Sequence, residues 1–261
     1  MLSEWLTYLT ADCSVFARES GYLRECIGIR ARYRRCKNAW LSHLENSRSA
    51  LLESINSCRS YRTALVLGSG VLLDIPIAEL AARFESVWLV DLVHLPEVRR
   101  AVRRYENVRC IEHDVTGFRE QRAALSEGGL DLPDPVQFLD EASIDWVASV
   151  NLLSQLPLLP QDWLRGNFPA IDEQQLEAWG DRIMQQHLDY LAAFGVPVCL
   201  LTDYEQTSYR RSGEMLSVVD FSTRLRFAGV LLKTWRWDVA PPGEISGGTG
   251  RFHLVASIAI I

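Results

Sequence analysis

The sequence predicts an α/β protein: a doubly wound, mainly parallel seven-stranded sheet with an antiparallel last strand, preceded by an N-terminal helical segment. Three observations predict it. After residue 60, short apolar runs alternate with amphipathic stretches. The first run ends in Gly68-Ser69-Gly70. The last two runs are joined by a Gly/Pro-rich stretch too short to hold a crossover helix, so they pair as antiparallel neighbours.

Each element follows in order. Residues 1–60 read as helical, with Leu2, Trp5, Leu6, Leu9 and Phe16 at helical spacing and no proline before Pro76. They form an expected lid or appendage, and residues 61–261 the α/β domain. The basic run with Arg24, Arg30, Arg32, Arg34, Arg35 and Lys37 reads as a solvated helix face or as a contact surface for an anion. Ala64–Leu67 is the first strand, and Ile75–Phe84 a helix that tolerates Pro76 in its first turn. Val87–Val90 is the second strand and Pro96–Tyr105 a basic helix. Val108–Ile111 is the third strand, and a helix near Phe118–Ser126 leads into a turn-rich stretch containing Gly128-Gly129. Ile144–Val150 is the fourth strand. Leu152–Ala170, with Pro157, Pro160 and Pro169, reads as a loop, and Asp172 with Gln175 as a capping box for a helix reaching Phe194. Val196–Leu201 is a fifth strand ending at Asp203-Tyr204-Glu205. Val218–Phe227 reads as a helix, and Val230–Trp237 and His253–Ile261 as the terminal strands.

Composition bounds the function. With 261 residues, 48% hydrophobic and 23% charged, the chain is long enough for a core that needs no staples. The six cysteines form no CxxC pair, so no metal site is expected. A net charge of −6 speaks against a dedicated nucleic-acid binder and leaves a small molecule or a protein side chain as the expected partner. The N-terminus lacks the pattern of a signal peptide, and Leu254–Ile261 is too short to span a bilayer. A cytoplasmic protein that does not enter a membrane is expected, in an oligomeric state the sequence leaves open.

In an open α/β sheet, ligands lie beyond the carboxyl ends of the strands. There the chain reads Leu67-Gly68-Ser69-Gly70-Val71-Leu72-Leu73-Asp74. Two glycines let backbone approach a ligand, and Asp91, ending the second strand, can accept from both hydroxyls of a ribose. The pattern fits an adenosine-bearing cofactor. A dinucleotide fingerprint would place a third glycine where Leu73 stands, and neither lysine, Lys37 or Lys233, follows a tyrosine by four.

With Asp114 after the third strand and the antiparallel C-terminal strand, residues from about 60 to 261 resemble the class I S-adenosylmethionine-dependent methyltransferases. The resemblance implies S-adenosyl-L-methionine as cofactor, held by Gly68, Ser69 and Gly70 at its methionine part, by Asp91 and Leu92 at the ribose, and by Asp114 and Val115 at the adenine. It implies methyl transfer, with Asn151 beside the sulfonium. The chain departs from the family's pattern at Val66, where an acid is common, and at Leu72. Its Asn151-Leu152-Leu153 also lacks the Asn-Pro-Pro-aromatic motif of base and amide N-methyltransferases.

Asp203 and Tyr204, an acid and an aromatic ending a core strand, join Asn151 as candidate catalytic residues. His187, on an apolar helix face, reads as a core histidine, and His253 only as a strand start. Two other functions remain open at this level: a non-catalytic binding or scaffold protein on the same fold, and an NAD(P)-dependent oxidoreductase.

Overall fold

A computed structural model describes residues 2–125 and 130–260. Three helices open the chain: α1 (Leu2–Thr10), α2 (Val15–Glu19) and α3 (Tyr22–Ser54). Ser14 caps α2 by accepting from the Ala17 N–H. At 33 residues, α3 is about 50 Å long, and Cys36 departs from helical geometry within it.

The α/β part alternates as expected: β1 (Thr63–Leu67), α4 (Ile77–Arg83), β2 (Ser86–Asp91), α5 (Pro96–Val102), β3 (Val108–Glu112), α6 (Phe118–Leu125), β4 (Ile144–Val150), α7 (Leu158–Asn167), α8 (Glu173–Ala192), β5 (Val198–Arg210), β6 (Met215–Asp220), β7 (Val230–Ala240) and β8 (Thr249–Ile260). The sheet order is β3-β2-β1-β4-β5-β8-β7, with β6 paired to β5. Strands β3 to β5 along that path are parallel, β8 runs against both neighbours, and β7 again follows the parallel direction. Strand order reverses between β1 and β4, and the crevice opens there.

Every residue of β1 and β4 is buried, because helices cover both sheet faces. Side-chain alternation sorts the core into two layers. Leu65, Leu67, Val147 and Leu200 pack toward α6 and α8, around Phe118, Trp179 and Ile183. Ala64, Val66, Trp146, Ala148 and Leu201 pack toward α3 and α4, around Leu51, Ile55 and Leu80.

Three expectations are corrected. The Val218–Phe227 segment is not helical: its start belongs to β6, which forms a hairpin with β5 through Gly213 (φ +90°) and makes the sheet eight-stranded rather than seven-stranded. Met215, Val218 and Val219 suit a strand, and the tight turn decides the pairing. Leu152–Ala170 is not a loop but a 3₁₀ turn (Leu153–Gln155) and α7. Pro157 is the N-cap of α7 and Pro160 lies in its first turn, where no backbone donor is needed. Strand β5 does not end at Asp203-Tyr204-Glu205 but continues to Arg210, paired throughout with β8 across a bulge at Asp203/Glu205. The capping box at Asp172 and Gln175 forms as read. Ser126 and Gly128-Gly129 lie outside the described residues.

Candidate functional site

The site begins at the turn after β1. Gly68 adopts φ +77°, and a Cβ on it would lie 2.9 Å from both Leu152 Cβ and the Val150 carbonyl oxygen. No larger residue fits without moving backbone. Gly70 (φ +51°) and Leu72 (φ +62°) are also left-handed; for the leucine this costs about 1–2 kcal/mol. The Gly68 and Ser69 N–H groups donate to the Val90 carbonyl at 2.9 and 3.2 Å. Ser69 turns its hydroxyl inward to His94 Nε2 at 3.3 Å, leaving its backbone as the part at the turn. Burial, with Arg99 adding to it, pushes His94 down to about 4.

Asp91 locks this turn to β2. Its Oδ2 accepts from Gly70 N–H at 2.7 Å and its Oδ1 from Val93 N–H at 3.3 Å. Burial raises the carboxyl above its ordinary range, against the lowering effect of these backbone donors. The Leu92 N–H is a third backbone donor to the carboxylate. Leu92 is buried beneath Leu23 and Ile27 of α3. The same helix brings Tyr22 and Cys26 over the strand ends: burial raises both groups, with the charge of Asp114 adding at Tyr22 and that of Asp91 at Cys26. Asp114 faces inward, accepting from the Thr116 N–H and hydroxyl at Oδ1 and from the Arg119 N–H at Oδ2. It therefore caps α6 and holds the loop that carries buried Val115.

At the end of β4, Asn151 is left-handed (φ +48°) and 8% exposed. Its amide Nδ2 donates to Asp74 Oδ2 at 3.1 Å, and its Oδ1 is buried without a partner. His43 of α3 is fully buried beside them, with Nε2 3.3 Å from Asp74 Oδ1. Trp235 Nε1 donates to His43 Nδ1 at 3.0 Å, which places the ring proton on Nε2, facing the Asp74 carboxylate. His43 stacks on Trp237 at 3.9 Å and 6°.

Beyond Trp237 lies a second histidine–carboxylate pair. Asp203 accepts from Ser154 Oγ (2.6 Å) at Oδ1 and from Gln206 Nε2 (2.6 Å) at Oδ2. His253 Nδ1 stands 3.2 Å from the same Oδ2. Burial alone would raise Asp203, but His253, Ser154 and Gln206 together hold it below its ordinary value. Trp237 and His253 are cross-strand partners with rings 5.7 Å apart, edge to face.

No family model matches the chain. No curated protein matches it either. Solved structures similar to it include the N-methyltransferase NodS from Bradyrhizobium japonicum WM9 in complex with S-adenosyl-l-homocysteine, at 12% identity and a TM-score of 0.39, covering 81% of this chain and 85% of that one. The 1,6-didemethyltoxoflavin-N1-methyltransferase of Burkholderia thailandensis is 15% identical with a TM-score of 0.43, covering 95% and 92%. The 23S rRNA methyltransferase ErmE is 9% identical with a TM-score of 0.35, covering 80% and 66%.

Of the residues singled out from sequence, Gly70 is bonded to Asp91, Gly68 to the carbonyl of Val90 just before it, and Leu152, next to Asn151, packs on Gly68. Asp203 lies one step further along the crevice. Tyr204 packs on the opposite face, against the α6–α8 layer. His187 is a core histidine, 2.9 Å from Ser149 Oγ. The basic run is partly internal: Arg30 pairs with Glu97 and Arg35 with Glu244. Sequence reasoning missed His43, Asp74, Trp235, Trp237 and the role of His253 as partner to Asp203. Asp74 stands in the glycine segment, but nothing local marks His43, whose partners are 108 and 192 residues away.

Proposed function

We propose that this protein transfers the methyl group of S-adenosylmethionine to a small molecule or protein side chain, residues 1–60 serving as a lid on a methyltransferase domain of residues 61–261. One observation carries the reading: the Gly70 N–H is held by the Asp91 carboxylate across the first two strand ends, beside the point where strand order reverses. The residues fit the cofactor. Leu152 and the Val150 carbonyl fill the place of a Cβ at Gly68, whereas a Cβ at Gly70 would meet only the Gly68 carbonyl at 4.0 Å, so the open side of the turn is at Gly70, beside the Asp91 carboxylate. The unpartnered Oδ1 of Asn151 and the nearby Asp74 carboxylate offer acceptors for the ammonium of the methionine part. Asp114 acts through the loop it braces, leaving the adenine edge to Val115 and Leu92. The cofactor supplies an electrophilic methyl on a sulfonium; the chain supplies orientation, with Asn151 and Asp203 lining the crevice. Tyr204, on the other face, has no part in it.

Calorimetric titration with S-adenosylhomocysteine and, separately, with NADH tests the reading. Binding of the first and not the second is expected. Asp91→Ala should weaken it at least tenfold, since a hydrogen bond to a charged group contributes about 1.5–3 kcal/mol. Equal affinity in the mutant, or preference for NADH, sinks the assignment.

A further inference from the structure

Besides Asn151 Oδ1 and Asp74 Oδ1 at the cofactor end, two buried ring nitrogens further along have no hydrogen-bond partner among the described residues. One is Nε2 of His253; the other is the indole Nε1 of Trp237. They sit on cross-strand neighbours of β7 and β8. Their protonation is fixed by what surrounds them. His253 keeps its proton on Nδ1, against the Asp203 carboxylate, so Nε2 is a free acceptor. An indole nitrogen can only donate. Leaving both unsatisfied is costly, and a group that both donates and accepts would satisfy the two together.

From this pair, and resting on the cofactor reading above, we infer that the methyl acceptor is a hydroxyl, and that His253, oriented by Asp203, is its general base. Electron counting selects the hydroxyl. Its proton faces His253 Nε2, one oxygen lone pair accepts from Trp237, and the second attacks the methyl carbon. A neutral amine has one lone pair and cannot both accept from Trp237 and attack. In the step, the acceptor O–H bond breaks and its proton passes to His253 Nε2. The O–CH₃ bond forms, the S–CH₃ bond breaks, and its electron pair stays on sulfur, neutralising the sulfonium. The imidazolium then loses its proton to solvent.

Acidity narrows the class further. A phenol, near 10, gives its proton to an imidazole far more readily than an aliphatic hydroxyl, which is about as weak an acid as water at ~15.7. Trp237 is held in place by His43 stacked on its face and by Trp40 and His253 set edge to face with it. Asp203 is a positioning residue: Ser154 and Gln206 fix its oxygens, and it fixes the imidazole.

The test uses the full chain, ¹⁵N-labelled at its indoles and saturated with S-adenosylhomocysteine, with phenol and benzylamine as probes. The Trp237 resonance, assigned by its loss in Trp237→Phe, should move with phenol and stay fixed with benzylamine. His253→Gln and Trp237→Phe should each weaken phenol binding at least tenfold while leaving S-adenosylhomocysteine affinity and circular dichroism unchanged. With S-adenosylmethionine and saturating phenol, His253→Gln should lower the methylation rate at least tenfold. A Trp237 resonance that ignores phenol, or prefers benzylamine, in protein that binds S-adenosylhomocysteine overturns the hydroxyl inference and leaves the cofactor reading standing. Failure to bind S-adenosylhomocysteine overturns both.

Discussion

Asp91 has two tasks, bracing the Gly70 turn and facing the expected ribose, and both need its ionised form. Buried histidines present the opposite case. His94 and His187 are both pushed down from 6.5 to about 4 by burial, His94 with a further contribution from Arg99. Their folded pKa lies below the unfolded one, so between pH 6.5 and 4 the unfolded chain binds more protons. Stability is therefore complete above pH 6.5 and declines as pH falls across that window, by about 3 kcal/mol per group at ~1.4 kcal/mol per pKa unit. Urea unfolding at pH 7.5 and pH 5 should show the decline, and His187→Asn should remove its own share. An identical pH slope in the mutant refutes the assignment. At this scale the sequence was partly legible. The glycines and Asp91 are close enough in the chain for turn chemistry to betray them, whereas the pairing of His253 with Asp203 depends on β5 running past the bulge, which no local pattern announces.

The element that organises the site is α3. Cys36, Trp40 and Leu44 pack against Val239, and Trp40 Nε1 donates to the Val239 carbonyl at 2.9 Å. Nearby, Arg35 grips Glu244 from a half-exposed position. These two contacts differ in kind. Removing the buried ring by Trp40→Ala should destabilise by about 3–5 kcal/mol. Arg35→Ala should cost no more than ~1 kcal/mol, because solvent screens the pair. Guanidinium denaturation of both variants checks the contrast, and equal losses would contradict it. Elements marked by their own punctuation, β1 to β4 and the Asp172-capped α8, were readable in advance. Strand β6 was not, since Val218, Val219 and Asp220 read into a helix over Val218–Phe227 and the hairpin partner β5 decides otherwise. Helix α7 was hidden by prolines that break helices everywhere except where Pro157 and Pro160 stand.

Across the whole molecule, the N-terminal helices join the sheet in one body rather than hanging from it. Leu23 and Ile27 share a buried cluster with Leu92, Val93 and Leu95, and Leu51 and Ile55 share another with β1 and β4. The described residues contain no helix long and apolar enough to cross a membrane. If residues 1–60 cover the cofactor, S-adenosylhomocysteine should slow amide hydrogen exchange in 22–30 of α3 together with 68–72, and leave 215–220 in β6 unaffected. Protection confined to 68–72 would reduce α3 to a scaffold.

The length of α3 carries a further consequence. Two helical segments joined at Cys36 reach from Tyr22 and Cys26, near Asp114 and Asp91, to His43, stacked on Trp237. On the proposed reading, this helix spans the cofactor end and the acceptor end of the crevice. A coupling carried by α3 would be reciprocal, each ligand changing the other's affinity by the same factor. The departure of Cys36 from helical geometry lies between the two ends, and the stiffness of the helix there sets how large that factor is.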